Sequence, residues 1–448
     1  MTRHSRPFAI AVLLNTLLPI RFAAAQHEGH AHPPAPAPPA TRTATPTASP
    51  PTSARVPDDP DPMARMEAMP AMDHWMWMLH GFAFLTANRQ GGASGERDFG
   101  SQNHLIVMGT RLLWGGKLSL LGTFTLEPMT IPLRGSSELF QRGETYHGTL
   151  LIDRQHPHEL FVQLAAAWEK ELGPAKLRLY AAPVGEPAIG PVAYPHRLSA
   201  SDNPTAPLAH HNQDSTHISY DVLTAGVTLP YVTLEGSAFH GAEPDENRFN
   251  IEQGRLDSYS GRLWLRPLPG LSAQLSVAHL EEPEALEDGN QTRATASVSY
   301  QRTSADGFVA VSLISGRNRT HEGPEWGHTL EGVWRFARKN TLFMRLERVD
   351  RDATELLTKR QRPETTPNRR VHVAAATLGA VRELPLLKGA ETAIGADLTL
   401  YRFPSSLDSV YGRRPVSVHG FVRIRFEKHL GMTGGDHAGH AGHTHDAP

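Results

Sequence analysis

The feature that most constrains the fold of this chain is a series of short segments in which apolar and polar residues alternate. Between residues 415 and 427, apolar residues or glycine occupy every second position, and Ser417, His419, Arg423 and Arg425 lie between them. Alternation with a period of two is typical of a strand with one apolar and one polar face. Sixteen such strands are predicted, near residues 74–88, 99–113, 117–127, 160–171, 175–183, 218–229, 232–241, 256–267, 271–281, 291–303, 307–317, 326–337, 340–350, 370–382, 391–403 and 415–427.

The connections between the predicted strands alternate in length. Tight turns such as WGGK, LGPA and SADG alternate with loops of roughly ten to thirty residues, a pattern typical of antiparallel barrels in the bacterial outer membrane. A soluble sandwich also has alternating strands, but it does not require this order of connections. We therefore predict an all-β fold, a transmembrane antiparallel up-and-down β-barrel of about sixteen strands over residues 74–428.

The even number of strands predicts that both termini lie in the periplasm. The longest connections, near residues 129–159, 184–217 and 351–369, are then predicted to be extracellular or to fold into the lumen. Charged residues on the polar strand faces are predicted to form rows inside the lumen: Glu331, Arg335, Arg345, Glu347, Asp397, His419, Arg423 and Arg425.

The two ends of the chain differ in composition from the predicted barrel. Residues 1–25 combine basic residues, an apolar stretch and a run of alanines, which predicts a cleaved secretory signal peptide. Residues 26–73 are rich in proline and predict a disordered periplasmic segment, while residues 429–448 predict a His-rich periplasmic tail. No stretch of eighteen residues after residue 20 is wholly apolar, so a membrane-spanning helix is not expected.

Methionine and histidine are concentrated at these ends and predict metal binding. Thioether sulfur is a soft ligand that favours Cu(I), and imidazole binds several transition metals. The alternative for the methionines is a packing role, because methionine is a common core filler. The candidate ligands are His27, His30, His32, Met63, Met66, Met69, Met72, His74, Met76 and Met78 near the N-terminus, and His437, His440, His443 and His445 in the tail.

Two long loops between predicted strands carry further candidate ligands. The first contains His147, His156 and His158, with acidic residues nearby that could complete a nitrogen and oxygen site. The second contains four histidines and two aspartates at irregular spacing: His196, Asp202, His210, His211, Asp214 and His217. Ordinary loop hydrogen bonding is the alternative for both loops, and the chain has no cysteine, which excludes thiolate sites.

The combination of a signal peptide, a Pro-rich stretch and a Met/His-rich segment leading into a barrel resembles the outer-membrane copper-resistance protein B family. The resemblance covers residues 26–80 by composition and the rest of the chain by architecture. It implies an association with copper, and it implies no role for any single residue. Zinc or nickel is the weaker alternative for the histidine-rich tails. The expected partners are outer-membrane lipid, metal ions and periplasmic metal-handling proteins.

Other functions have less support in the sequence. The 44 basic and 46 acidic residues give a formal charge of −2, so a nucleic-acid partner is not expected. No nucleophile elbow, metalloprotease motif or phosphate-binding loop is present, and an enzyme is not expected. The hydrolase alternative rests only on Ser201 and Ser215, which lie near histidines. The main alternative to metal handling is a passive, porin-like channel for small solutes, with tails that buffer metal without specificity.

Overall fold

In the computed structural model, which describes residues 65, 68–286, 288–357 and 370–430, sixteen antiparallel strands close into a barrel. The strands of the wall are β1 (Met76–Arg89), β2 (Arg97–Leu113), β3 (Gly116–Phe124), β6 (Phe161–Leu172), β7 (Ala175–Gly185), β8 (Ser219–Thr228), β9 (Val232–His240), β10 (Ser258–Leu268), β11 (Leu271–Leu280), β12 (Gln291–Ser304), β13 (Gly307–Thr320), β14 (Gly323–Phe336), β15 (Asn340–Asp352), β16 (Arg370–Glu383), β17 (Glu391–Arg402) and β18 (Val416–Leu430). Each strand of the wall pairs with its neighbours along the chain, and β1 closes the barrel against β18. Strands β4 and β5 form a separate hairpin, described below, so β3 pairs with β6.

The alternation of residue types sets which face of each strand turns inward. On β18, Val416 and Val418 point outward and are 39% and 38% exposed, whereas Ser417 and His419 point inward and are 0% and 5% exposed. The same parity holds on β15, where Leu342 and Leu346 are exposed on the outside and Arg345 and Glu347 are buried in the lumen. The barrel therefore has an apolar exterior and a polar interior.

The connections define two ends of the barrel. At one end, called the tight-turn end, β2–β3, β6–β7, β10–β11 and β12–β13 are joined by two residues each. The other end, called the long-loop end, holds the loops at residues 125–160, 186–218, 241–257 and 403–415, among others. One connection at this end, between β13 and β14, has only two residues, because both strands extend further than predicted.

The sixteen predicted strands correspond one to one with the strands of the wall. The chief difference is a hairpin that the alternation did not predict, formed by β4 (Ser136–Tyr146) and β5 (Thr149–Gln155) within the loop between β3 and β6. Its pairing contains register shifts, and most of β4 is buried on both faces, so its sequence does not alternate. The last strand also ends at Leu430, two residues beyond the predicted barrel boundary.

Short helical turns occur in the connections between the strands. The α-helical turns are Glu127–Thr130, His210–Gln213, Ala353–Leu356 and Asp408–Tyr411, and the 3-10 turns are Tyr194–His196, Leu198–Ala200, Ser215–His217 and Ser405–Leu407. Among the described residues, no helix is long and apolar enough to cross a membrane.

Two loops fold into the lumen and bind its wall. The first lumenal loop comprises residues 125–160 and the second comprises residues 186–218. In the second, Arg197 Nε lies 2.6 Å from Glu331 Oε1 of β14, and the backbone N–H of Leu208 donates to Glu347 of β15 at 2.6 Å. The predicted rows of lumenal charge are therefore present, and they serve to hold a loop within the barrel.

The residues just before β1 also differ from expectation. Residues 68–73 close the segment predicted to be disordered, yet they pack against β2. Thr110 Oγ1 donates to the carbonyl of Pro70 at 2.7 Å, and the N–H of Leu112 donates to the carbonyl of Met72 at 2.8 Å. These contacts hold Pro70 and Met72 against β2, so an anchored segment precedes the first strand of the wall.

Candidate metal centre

Three histidines of the lumenal loops converge at one point inside the barrel. They are His158 from the first loop and His210 and His217 from the second, and their nearest ring nitrogens lie within 4.8 Å of one another. The ring centroids of His158 and His217 are 5.1 Å apart, and those of His210 and His217 are 5.2 Å apart. All three side chains are buried, with 1–5% of their surface exposed. We call these three residues the three-histidine centre.

Local structure brings the two histidines of the second loop together. His210 begins the helical turn His210–Gln213, and His217 ends the next turn, Ser215–His217. Asp214 lies between the turns and accepts hydrogen bonds from both rings. Its Oδ1 is 2.7 Å from His210 Nδ1, and its backbone carbonyl is 2.9 Å from His217 Nδ1. One residue therefore orients two imidazoles.

Glu127 orients the third imidazole in the same way. Its Oε2 lies 2.7 Å from His158 Nδ1 and also accepts the backbone N–H of His158 at 2.9 Å. An oxygen acceptor at Nδ1 fixes the proton on that nitrogen and turns the Nε2 lone pair away from it. The Nε2 atoms of His158 and His217 are buried and have no hydrogen-bond partner. Two nitrogens thus stand unsatisfied at the point where the three rings meet.

The electrostatics of the loops favour imidazoles that can act as ligands. Burial lowers the pKa of His210 to about 4 and holds the pKa of His217 well below its usual range, so both rings are neutral at pH 7. Burial would raise the pKa of Asp214, but the Arg197 guanidinium at 2.8 Å and His210 hold it well below its usual range. His158 differs, because the Glu127 carboxylate outweighs the effect of burial and raises its pKa.

A second group of ligating side chains shares His158 with the three-histidine centre. His104, Glu127 and His158 also offer ligand atoms within 4.8 Å of one another. His104 lies on the inward face of β2, and its ring centroid is 6.1 Å from that of His158. A cavity of about 460 Å³ reaches this group from the tight-turn end, where Glu427 lies on its rim.

A third group lies on the opposite side of the three-histidine centre. It consists of His211, Glu243 and Glu284, with His211 buried and the two carboxylates half-buried. His211 and Glu284 line a small pocket at the long-loop end. His156 stands between this group and His158, with ring centroids 5.7 Å from His211 and 5.9 Å from His158. Three groups of metal-ligating side chains therefore follow one another along the lumen.

The structure separates the ligands predicted in the first loop. His158 belongs to two of the three groups, and His156 adjoins them, with its Nε2 2.9 Å from Glu144 Oε1. His147 is exposed in the turn between β4 and β5, where its backbone N–H donates to Glu246 at 2.7 Å, and it lies outside the groups. In the second loop, the candidates predicted from the sequence include His210, His211, Asp214 and His217, but their arrangement was not predicted.

The candidate ligands near the N-terminus differ in burial, and several lie outside the described residues. Met69, Met76 and Met78 are buried in one apolar cluster with Met108, and Met78 faces Met108 directly across β1 and β2. Met72 and His74 are exposed. This placement agrees with packing, and the predicted binding of Cu(I) by these thioethers stays a prediction. The candidates outside the described residues are His27, His30, His32, Met63, Met66, His437, His440, His443 and His445.

Sequence reasoning missed His104 and Glu127. A signal for His104 does exist, because it occupies an inward position on a strand whose next inward residues are Ile106 and Met108. A histidine on the inward face of a barrel strand suggests a polar function. Glu127 is the last residue of the strand predicted near residues 117–127, whereas in the structure it begins the helical turn Glu127–Thr130. Its position beside His158 depends on how the loop folds.

Comparisons with known proteins concern the fold alone. The chain matches no protein-family model and no curated protein. Among solved structures it is similar to an anion-selective porin from Comamonas acidovorans, with 12% sequence identity, a TM-score of 0.48, and coverage of 79% of this chain and 100% of the porin. OprB of Pseudomonas putida has 11% identity, a TM-score of 0.48, and coverage of 80% and 94%. OmpT, an outer membrane protein of Vibrio cholerae, has 9% identity, a TM-score of 0.44, and coverage of 78% and 98%.

Proposed function

We propose that this chain is a bacterial outer-membrane barrel that binds a transition-metal ion in its lumen, with copper expected first and zinc or nickel as weaker alternatives. The observation that supports it is the three-histidine centre. Leaving a buried nitrogen without a hydrogen bond costs about 1–3 kcal/mol. His158 and His217 each have such a nitrogen, Nε2, at the point where the rings meet. A bound ion would satisfy both nitrogens at once.

The donor set favours copper over the alternatives. Three imidazoles suit Cu, Zn and Ni, and among divalent ions the affinity of such a site is highest for Cu²⁺. The orienting acceptors on Asp214 and Glu127 also match the usual surroundings of metal-bound histidine, in which the second nitrogen donates to a carboxylate or carbonyl. The resemblance to the copper-resistance protein B family points to the same ion.

Exposed aromatic residues near both ends of the barrel support a membrane location. Trp114, Tyr231 and Trp334 are 51–76% exposed near the tight-turn end, while Tyr259 and Trp326 are 62% and 41% exposed near the long-loop end. Trp326 and Trp334 are eight residues apart on β14, or roughly 20 Å along the barrel axis once strand tilt is allowed for. Aromatic girdles flank an apolar band of about 25 Å in outer-membrane barrels.

The membrane location predicts how outward charge affects folding. Leu398 is 42% exposed on the outer face of β17. Leu398→Arg should destabilise the barrel in lipid by about 2–4 kcal/mol, because an arginine near the bilayer midplane loses its hydration. Leu386→Arg, in the connection at the tight-turn end where Leu386 is 59% exposed, should change stability by less than about 1 kcal/mol. Urea unfolding of both variants in lipid vesicles measures the difference, and equal effects would contradict the membrane location.

The metal site predicts a specific loss of copper binding. His217→Ala in the full-length protein should weaken lumenal Cu²⁺ affinity on the order of 100-fold, since loss of even an outer-shell partner typically costs 10–100-fold. Isothermal titration and the electron paramagnetic resonance spectrum of bound Cu²⁺ measure the change. His147→Ala is the matched control, because His147 is an exposed loop histidine outside the centre. Unchanged affinity and an unchanged spectrum in His217→Ala would rule out the three-histidine centre.

A passive channel for small solutes is the second candidate function. Its support is the width of a sixteen-stranded barrel, which is enough for an aqueous path. The two lumenal loops oppose it, because buried ion pairs such as that of Arg197 with Glu331 fix a loop within the lumen.

A further inference from the structure

We propose that His104, Glu127 and His158 form a second metal position that overlaps the three-histidine centre, so that one ion passes between the two positions by exchanging ligands around His158. This inference rests on the proposed metal-binding function. It adds a direction to that function, because the second position adjoins the cavity at the tight-turn end and the first does not.

The first argument is the state of His104. Its side chain is 3% exposed, and neither ring nitrogen has a hydrogen-bond partner. The ring faces His158, with centroids 6.1 Å apart, and it also lies 5.0 Å from the ring of His196. An imidazole without any partner on a barrel strand has no role in holding the fold by hydrogen bonds. Its nitrogens are available to a ligand that enters between His104 and His158.

The second argument is the dual position of Glu127. Its Oε2 accepts a hydrogen bond from His158 Nδ1 at 2.7 Å, which orients that ring toward His210 and His217. The same carboxylate belongs to the group formed with His104. When the ion occupies the three-histidine centre, Glu127 orients a ligand. When the ion moves, Glu127 becomes a ligand itself, and the proton that it held on His158 Nδ1 passes to the Nε2 that the ion has left. The Glu127 carboxylate is therefore already in place for both positions.

The third argument is access. The cavity of about 460 Å³ is lined by His104 and Glu127 at its inner end and by His80 further out. His80 is on the inward face of β1, and its Nδ1 is buried without a partner. Gly389 and Glu427 on the cavity wall are exposed, so the cavity reaches the surface at the tight-turn end. An ion at the second position is therefore one step from solvent.

The shared ligand makes the two positions exclusive. An ion held by His158, His210 and His217 and an ion held by His104, Glu127 and His158 both require the ring of His158. The lumen should then bind one ion across these two positions. Loss of a ligand that only one position uses should move the ion to the other position and leave the number of bound ions unchanged.

Four full-length proteins test the proposal: wild type, His104→Ala, His217→Ala and the double variant His104→Ala/His217→Ala. Cu²⁺ bound per chain is measured by equilibrium dialysis, and the donor atoms are identified from the electron paramagnetic resonance difference spectrum against the double variant. Metal bound by the terminal histidines is common to all four and cancels in the difference. Wild type and both single variants should each bind one more ion per chain than the double variant.

The spectra separate the positions. His104→Ala should show the wild-type pattern of three nitrogen donors, whereas His217→Ala should show two nitrogens and one carboxylate oxygen. If His217→Ala binds no more copper than the double variant, the second position does not exist. The copper bound by His104→Ala still tests the three-histidine centre in that case. If wild type binds two more ions than the double variant, the positions are independent and exchange is wrong. His104→Asn and His217→Asn repeat the comparison should an alanine variant fail to fold, with circular dichroism as the measure of folding.

Discussion

Glu331→Ala should release the second lumenal loop from the wall and lower the free energy of unfolding by about 3 kcal/mol. Glu331 is 1% exposed, and its Oε1 accepts hydrogen bonds from Arg197 Nε at 2.6 Å and from Ser199 Oγ at 2.8 Å. Its Oε2 lies 3.3 Å from Arg345 Nε. Removing one partner of a buried ion pair costs about 3–5 kcal/mol because a charge remains buried without compensation. The lower end of this range is expected because Arg197 would keep its ion pair with Asp214.

Urea unfolding in lipid vesicles gives the stability, and the conductance of the protein in a planar bilayer reports the opening of the lumen. The matched control is Glu96→Ala. Glu96 also pairs with two arginines, Arg134 at 3.1 Å and Arg154 at 2.5 Å, but its side chain is 43% exposed. Exposed pairs contribute about 0–1 kcal/mol. Equal destabilisation by the two variants, with no rise in conductance for Glu331→Ala, would show that the loop does not depend on its ion pairs with the wall.

Copper should stabilise the folded protein by about 2.7 kcal/mol when its free concentration is 100 times the dissociation constant, and by about 4.1 kcal/mol at 1,000 times. The reason is mass action, because the histidines of the centre come from two loops and converge only in the folded barrel. Histidines that bind copper equally in the folded and unfolded chain do not contribute to this difference. A chelator should reverse the effect.

His158→Ala should abolish the copper-dependent gain, because His158 belongs to both the three-histidine centre and the group with His104. His147→Ala should retain it in full. The urea midpoints of the three proteins, measured with and without Cu²⁺, give the comparison. A gain that persists in His158→Ala would place the stabilising ion elsewhere in the chain.

The wall of the barrel was predictable because its information is local. Each strand repeats a two-residue pattern, as on β17, where Leu398 and Leu400 are exposed while Asp397 and Thr399 are 6% exposed. The alternation of short and long connections then predicted which strands are neighbours, without any knowledge of their contacts. Each strand of the wall turns one face outward and the other into the lumen, so the inward or outward direction of a side chain follows from its position in the alternation.

The interior was only partly predictable, because its contacts join residues that are distant in the sequence. The histidines of both loops stood out by composition, yet nothing in the sequence paired His158 with His210 and His217. Their proximity depends on ion pairs between loop and wall, such as that of Asp202 with Arg423. The β4–β5 hairpin escaped detection for a related reason, since burial on both faces removes the alternation that marks a strand.

The pairing of β1 with β18 has a consequence for the order of folding. Trp77 is opposite Leu430 in this pair, so the seam joins the two ends of the barrel sequence. Closing a loop of this length costs about 5 kcal/mol of chain entropy, while every other pair in the wall joins strands that are closer along the chain. Both lumenal loops are anchored in the wall at each end. We therefore expect both loops to be enclosed while the sheet closes, so that the candidate metal ligands converge in the step that completes the barrel.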